Sequence, residues 1–348
     1  MIRRITTKTE VYRDGELLAT LTPVDGSEPS INVNADAEIK SSFFGHFYDL
    51  GENINWLTDT LQPVAVIDGT EYRFGEFLPA EIEVSKVDNV RTVSVSAYDR
   101  CWQLQTVKTE NIMHFSAGSK YLDVVKNLLT DAGVTLYLET PSDAVLTTDR
   151  EDWGIGTDYL EIINTLLDEI NYSQVWFNSY GFAVLRPQEI PSASMVTFTF
   201  DEHDPNTMLI SDVDGSTDIF NRANVFIVIC ENPDLEEPLI AVAENNNPAS
   251  PLSIYARKRR ICEVVRVDNI ANQAALDEYA QLLVSESVMA ASAVEILTPI
   301  VPDHGINDVV MLNFSGFDGF YSEVGWRISF KPGGMMQHSL RKVEYYFG

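Results

Sequence analysis

The chain has 348 residues, 45 % of them apolar and 10 % aromatic, and a formal net charge of -28. That much apolar material supports packed cores and excludes a disordered chain. With 52 acids against 24 bases, the composition also excludes ordinary nucleic-acid binding, which relies on Lys and Arg to neutralise phosphates.

No apolar run reaches the roughly 18 residues of a membrane helix, so no membrane anchor is expected. Met1-Ile2-Arg3-Arg4-Ile5-Thr6 lacks the apolar stretch of a secretory signal, and folding in a cytoplasm is expected. Cys101, Cys230 and Cys262 are odd in number and far apart, which argues against a disulfide framework or a zinc pair. Each reads as a small buried apolar residue.

In chain order, strands come first. Asp14-Gly15 and Asp68-Gly69 each sit between strand-like runs and predict tight hairpins. Arg91 to Asp99 alternates strictly, with Val93, Val95 and Ala97 on one face, and predicts a half-buried antiparallel strand. Helical spacing follows at Tyr121, Val124, Val125, Leu128 and Leu129, with Ser119 as the expected N-cap and Gly133 as terminator. A second helix carries Tyr159, Ile162, Ile163, Leu166, Leu167 and Ile170 behind a Thr157 cap. Ser173 to Phe177 and Phe182 to Arg186 predict two short strands joined by a turn at 178–181.

Strands return with Arg222 to Ile229, then an Asn- and Pro-rich loop at 244–251. One long helix is predicted from Asn272 to Ala291, with Leu276, Tyr279, Leu283 and Val284 on its apolar side. The last predicted strands are Asp308 to Asn313, Gly325 to Phe330 and Ser339 to Phe347. The fold class is therefore α+β, mainly β. The expected units are a first β-barrel-like domain at 1–111, a small α/β module at 112–190, and a second β-barrel-like domain with one long helix at 191–348.

His46, His114, His203, His304 and His338 are scattered, with no His-Glu-x-x-His zinc motif. There is no Gly-x-Ser-x-Gly elbow and no phosphate loop. Gly154-Ile155-Gly156 lacks the third glycine of a dinucleotide loop and reads as a helix entry. Asp201-Glu202-His203-Asp204 reads as a solvated turn. Asp212-Val213-Asp214-Gly215 resembles part of a calcium loop but lacks the terminal bidentate Glu, so an acidic turn is expected. No catalytic residue, cofactor or metal is assigned. From Asp201 to Glu244 there are eleven acids and one base; Arg257, Lys258, Arg259 and Arg260 then form a basic cluster, the expected interface.

Several stretches together resemble the bacteriophage tail hub family, which includes baseplate hubs and tail-tip proteins of phages and phage-derived contractile injection particles. They are Ile67-Asp68-Gly69-Thr70-Glu71-Tyr72 with Leu78-Pro79, then Ala97-Tyr98-Asp99-Arg100, then Ile219-Phe220-Asn221-Arg222-Ala223-Asn224-Val225. Gly305-Ile306-Asn307-Asp308-Val309-Val310 and the closing His338 and Arg341 complete the order. The resemblance implies two tail-tube-like barrels with smaller α/β parts between them. It also implies a homotrimer whose ring joins a six-fold tube to a three-fold spike or tip. The implied partners are the tail tube protein, a spike or tail-tip protein, the tape measure and baseplate wedge proteins. The implied location is the tail of a particle assembled in a bacterial cytoplasm. A cell-wall-degrading tail enzyme and a receptor- or glycan-binding module are the alternatives. The former lacks a motif, and no room for an appended catalytic domain is expected after Tyr345-Tyr346-Phe347-Gly348. The latter would need exposed aromatics, whereas Trp56, Trp102, Trp153, Trp176 and Trp326 read as core.

Overall fold

The computed structural model describes residues 4–49, 51, 53–204, 210–232, 237–303 and 305–343, with the backbone alone at 210–214. The first block is eight strands: β1 (Ile5–Arg13), β2 (Glu16–Pro23), β3 (Ser30–Asn34), β4 (Ser41–Tyr48), β5 (Thr60–Ile67), β6 (Thr70–Arg73), β7 (Leu78–Val87) and β8 (Val90–Tyr98). The hairpins β1–β2 and β5–β6 turn on Asp14-Gly15 and Asp68-Gly69, all four at positive φ. Such paired left-handed residues match the twist of the strands they join. Val93, Val95 and Ala97 of β8 point into the core as their alternation predicts.

A mixed region follows, with α1 (Arg100–Thr106), α2 (Tyr121–Asp131), β9 (Tyr137–Glu139), α3 (Tyr159–Asp168), β10 (Trp176–Phe177) and β11 (Ala183–Leu185). The apolar stripes of α2 and α3 bury Val125, Leu128, Leu129, Ile162, Ile163 and Leu166 in one cluster with Phe177, Ala183 and Leu185. The caps sit one residue later than predicted. Lys120 caps α2 without a side-chain bond. Asp158 caps α3 through Glu161 N at 2.8 Å, while the Thr157 hydroxyl is spent on Gly154 O.

The rest of the chain is β12 (Val196–Asp201), β13 (Ile210–Thr217), β14 (Val225–Cys230), β15 (Leu239–Glu244), α4 (Ile254–Arg257), β16 (Cys262–Val267), α5 (Gln273–Met289), β17 (Ser292–Pro299), β18 (Val309–Asn313), β19 (Gly319–Ser329) and β20 (Met335–Lys342). β14, β15 and β16 form their own three-stranded sheet. α5 covers one face of it, with Leu276, Ala280 and Val284 against Phe226, Val228, Ala241 and Ala243. The architecture is α+β and mainly β. Cys101 and Cys230 are buried as expected, but Cys262 is exposed because β16 is an edge strand.

The first and last strand blocks are joined. β3 pairs antiparallel with β19, from Asn34 opposite Gly325 to Ser30 opposite Ser329, so both blocks belong to one 14-stranded sheet. β19 keeps β20 along one edge and divides the other between β18 and β3, with a register shift between Glu323 and Gly325. One apolar cluster spans the joint, with Ile31, Phe43, Val95, Phe200, Ile296, Ile328 and Leu340 as members.

Candidate functional site

The expected interface cluster lies where the chain enters β16. Ser253 caps the short α4 through Ala256 N, and Lys258 leaves it in the left-handed region at φ 52°. The four cations then divide. Arg257 turns inward and donates to Arg222 O at 2.7 Å and Phe220 O at 2.9 Å. Arg260 pairs with Glu244 on β15, which lowers that carboxyl below its ordinary range. Lys258 and Arg259 are exposed.

The acidic clusters serve structure. Asp201 Oδ1 accepts His203 N at 2.8 Å and closes a turn, while Glu202 Oε1 accepts Ser315 N at 3.0 Å and ties that turn to the one after β18. The segment 212–217, expected as an acidic turn, instead runs as β13 paired with β17. Extended backbone sends alternate side chains to opposite faces; the side chains of Asp212 and Asp214, and all of His304, lie outside the described residues. Among the described residues no three His, Cys, Asp or Glu side chains converge as a metal site.

One arrangement has no sequence signal. Ser116 Oγ lies 3.4 Å from His114 Nε2, and His114 Nδ1 lies 3.0 Å from Glu151 Oε1. The order is that of a nucleophile, a base and an orienting acid. However, all three are exposed. The two amides after the serine are already engaged, Ala117 N by Asp149 and Gly118 N by Leu146 O. Neither is left to stabilise an oxyanion, so the geometry supplies no acyl-transfer site.

A cleft of about 1400 Å³ opens between the strand blocks and the two small α/β parts, with Lys40, Arg150, Asp168, Glu169, Arg222 and Glu286 among its walls. Beneath it lies a buried polar knot. Arg150 grips Glu169 with two N–H bonds of 2.8 and 2.9 Å, contacts Asp152, and stacks 5.0 Å over Trp153. Glu169 also accepts Tyr121 Oη–H at 2.8 Å and Asn269 Nδ2–H at 3.3 Å. Burial beside that carboxylate drives the Tyr121 phenol far above its ordinary range. Asp168 is open to water yet hemmed in by the cleft walls. That desolvation, reinforced by Glu169 and Glu286 and opposed by Lys40, pushes its carboxyl up to about 6.

Asp99 is a second shifted acid, 3 % exposed, at the N-cap of α1. It accepts Ser41 N at 2.6 Å and Cys101 N at 2.9 Å. Burial outweighs these bonds and pushes the carboxyl up to about 6 from 3.8. The folded state thus holds this proton more tightly than the unfolded chain. Its contribution to stability is complete below about pH 4 and is lost as pH rises through about 6. A carbon-13 NMR titration of the Asp99 carboxyl is expected to show a midpoint near 6; an ordinary midpoint of about 4 would contradict this.

In the last strand block His338 and Glu323 are both fully buried and paired, with Thr298 Oγ1 2.8 Å from the other His338 nitrogen. The pair ties β17, β19 and β20 together at the shift in β19. His338, quoted for the family resemblance, is thus a structural residue.

Comparison with solved structures gives matches over almost the full length. A tail protein from Neisseria meningitidis MC58 superposes with a TM-score of 0.68 at 16% identity, covering 97% of each chain. The 43 kDa tail protein of prophage MuSo2 from Shewanella oneidensis gives 0.67 at 12% identity, covering 96% of this chain and 98% of that one. This chain has the phage tail-protein fold. The same tail-protein fold extends to the E. coli c3393 protein, a type VI secretion component described as similar to the T4 tail proteins gp27 and gp5. It gives 0.51 at 8% identity over 100% of this chain and 76% of that one. No protein-family model and no curated protein matches the sequence.

Proposed function

We propose that the chain is a structural hub of a phage or phage-like tail baseplate or tip. In this reading three copies form a ring that joins a six-fold tube to a three-fold spike or tip and encloses the channel. The observation that carries it is the tail-protein fold with two strand blocks fused in one sheet. Two blocks per chain are what three copies need to offer six to a six-fold tube. The partners are further copies of the chain, the tube protein and the spike or tip protein, with the tape measure and wedge proteins nearby. Lys258 and Arg259 are the cluster's outward half and serve as contact residues. Arg257 and Arg260 hold the loop that presents them. The charge of -28 suits a lumen that repels phosphate, so DNA passes without sticking.

Light scattering behind size exclusion tests the assembly. The chain alone is 39.0 kDa. A mass near three times that, with a ring and central channel in electron micrographs, is the expected result. A chain that stays at 39.0 kDa at every concentration overturns self-assembly.

A further inference from the structure

The sheets of the two small α/β parts end in edge strands, and the rims of two of these edges, β16 and β9, carry opposite charge. On the sheet of β14, β15 and β16, the face away from α5 shows Val242, Ile227 and Val264 in one row and Ile240, Ile229 and Arg266 in the next. Ile240, Val242 and Val264 are 55, 53 and 52 % exposed. β16 pairs only with β14 among the described residues, so its outer edge is free. Around this surface stand Lys258, Arg259, Arg260 and Arg266. Two carboxylates pair with them, Glu244 with Arg260 and Glu231 with Arg266, while Glu263 on β16, in register with Phe226 and so on the α5 side, and Asp268 after the strand are also exposed.

The second edge is β9, which pairs only with β11 among the described residues. Leu136, Tyr137 and Leu138 are all exposed there. Its surroundings reverse the balance: Lys120 and Lys126 bridge Asp143, Asp123 and Glu139, and Asp131 is exposed at the end of α2. An open apolar strand edge invites pairing and is normally blocked or covered.

We propose that the β16 edge and its apolar face seat the β9 edge of a neighbouring copy of this chain. This rests on the self-assembly reading above and names its contact. Both halves of the contact are present on one chain, so the occupant is a second copy. Elsewhere two copies of net charge -28 repel each other, and this basic rim is where an acidic neighbour approaches. The contact is head-to-tail, the kind that forms a ring where its rotation closes and a filament where it does not.

The test uses the full chain in two exposed-surface variants, Lys258→Glu with Arg259→Glu, and Asp131→Lys with Asp143→Lys. Thermal melts check that each still folds. Each variant alone is expected to need on the order of tenfold more protein for half-assembly. An equimolar mixture of the two is expected to regain assembly in part, because a mixed ring of three has opposite rims at two contacts and like rims at the third. If both variants assemble like the wild type, this contact is wrong while the hub reading stands. Loss without rescue on mixing also overturns the pairing. A wild-type chain that is always monomeric overturns both.

Discussion

Replacing Glu169 by Ala is expected to cost about 3–5 kcal/mol of stability. The reason is what remains behind. Arg150 is 7 % exposed, and Glu169 takes both of its forked N–H bonds. Without that carboxylate a buried guanidinium keeps only Asp152 and the Trp153 face. Tyr121 and Asn269 lose an acceptor as well. Equilibrium urea unfolding measures the loss. The double change Arg150→Met with Glu169→Leu is expected to cost less than Glu169→Ala, since it removes both charges and restores apolar volume. If the single variant unfolds at the wild-type urea concentration, the knot is not what holds α3 to the segment around Asn269.

Gly325→Val is expected to cost about 3 kcal/mol and to open the β3–β19 joint before the rest of the sheet. A Cβ at Gly325 would sit 2.5 Å from Val33 O and 3.3 Å from Asn34 Cα, both backbone atoms that cannot swing aside. Hydrogen exchange reads the effect at the amides of the paired segment Trp326 to Ile328. Gly333→Ala is the control. Its φ of +70° strains a side chain, but no atom lies within 4 Å, so about 1 kcal/mol is expected and the joint stays closed. Equal exchange in both variants would mean that the close approach of β3 and β19 does not matter.

Much of the local structure was legible. Asp14-Gly15 and Asp68-Gly69 announced their hairpins because only a left-handed pair makes that turn. The alternation in β8 and the stripes of α2, α3 and α5 marked their buried faces. The turn at Asp88-Asn89, also left-handed at both residues, has no glycine and so leaves no such signal in the sequence. The final strand was predicted late: it begins at Met335, since Gly334 completes the turn through its bond to Lys331 O.

What the sequence could not show is long-range pairing. Periodicity says that Ile31 and Ile328 are buried, but not that they face each other. Arg150 and Glu169 were invisible for the same reason, one acid among 52 having no mark of its partner. The basic cluster was visible as charge. Only the fold shows that Arg257 bonds the Arg222 and Phe220 carbonyls and that Arg260 pairs with Glu244, while Lys258 and Arg259 are exposed.

The join between β3 and β19 also has a mechanical meaning. Five residue pairs, Gly325 with Asn34 through Ser329 with Ser30, lie side by side along the strand axis. A pull that separates the two strand blocks along that axis loads those bonds together in shear, and none can open without its neighbours. A pull across the axis would open them one by one, as a zipper does. A particle that drives force down the strand direction would therefore meet a stiff linkage, whereas a sideways push would meet a weak one.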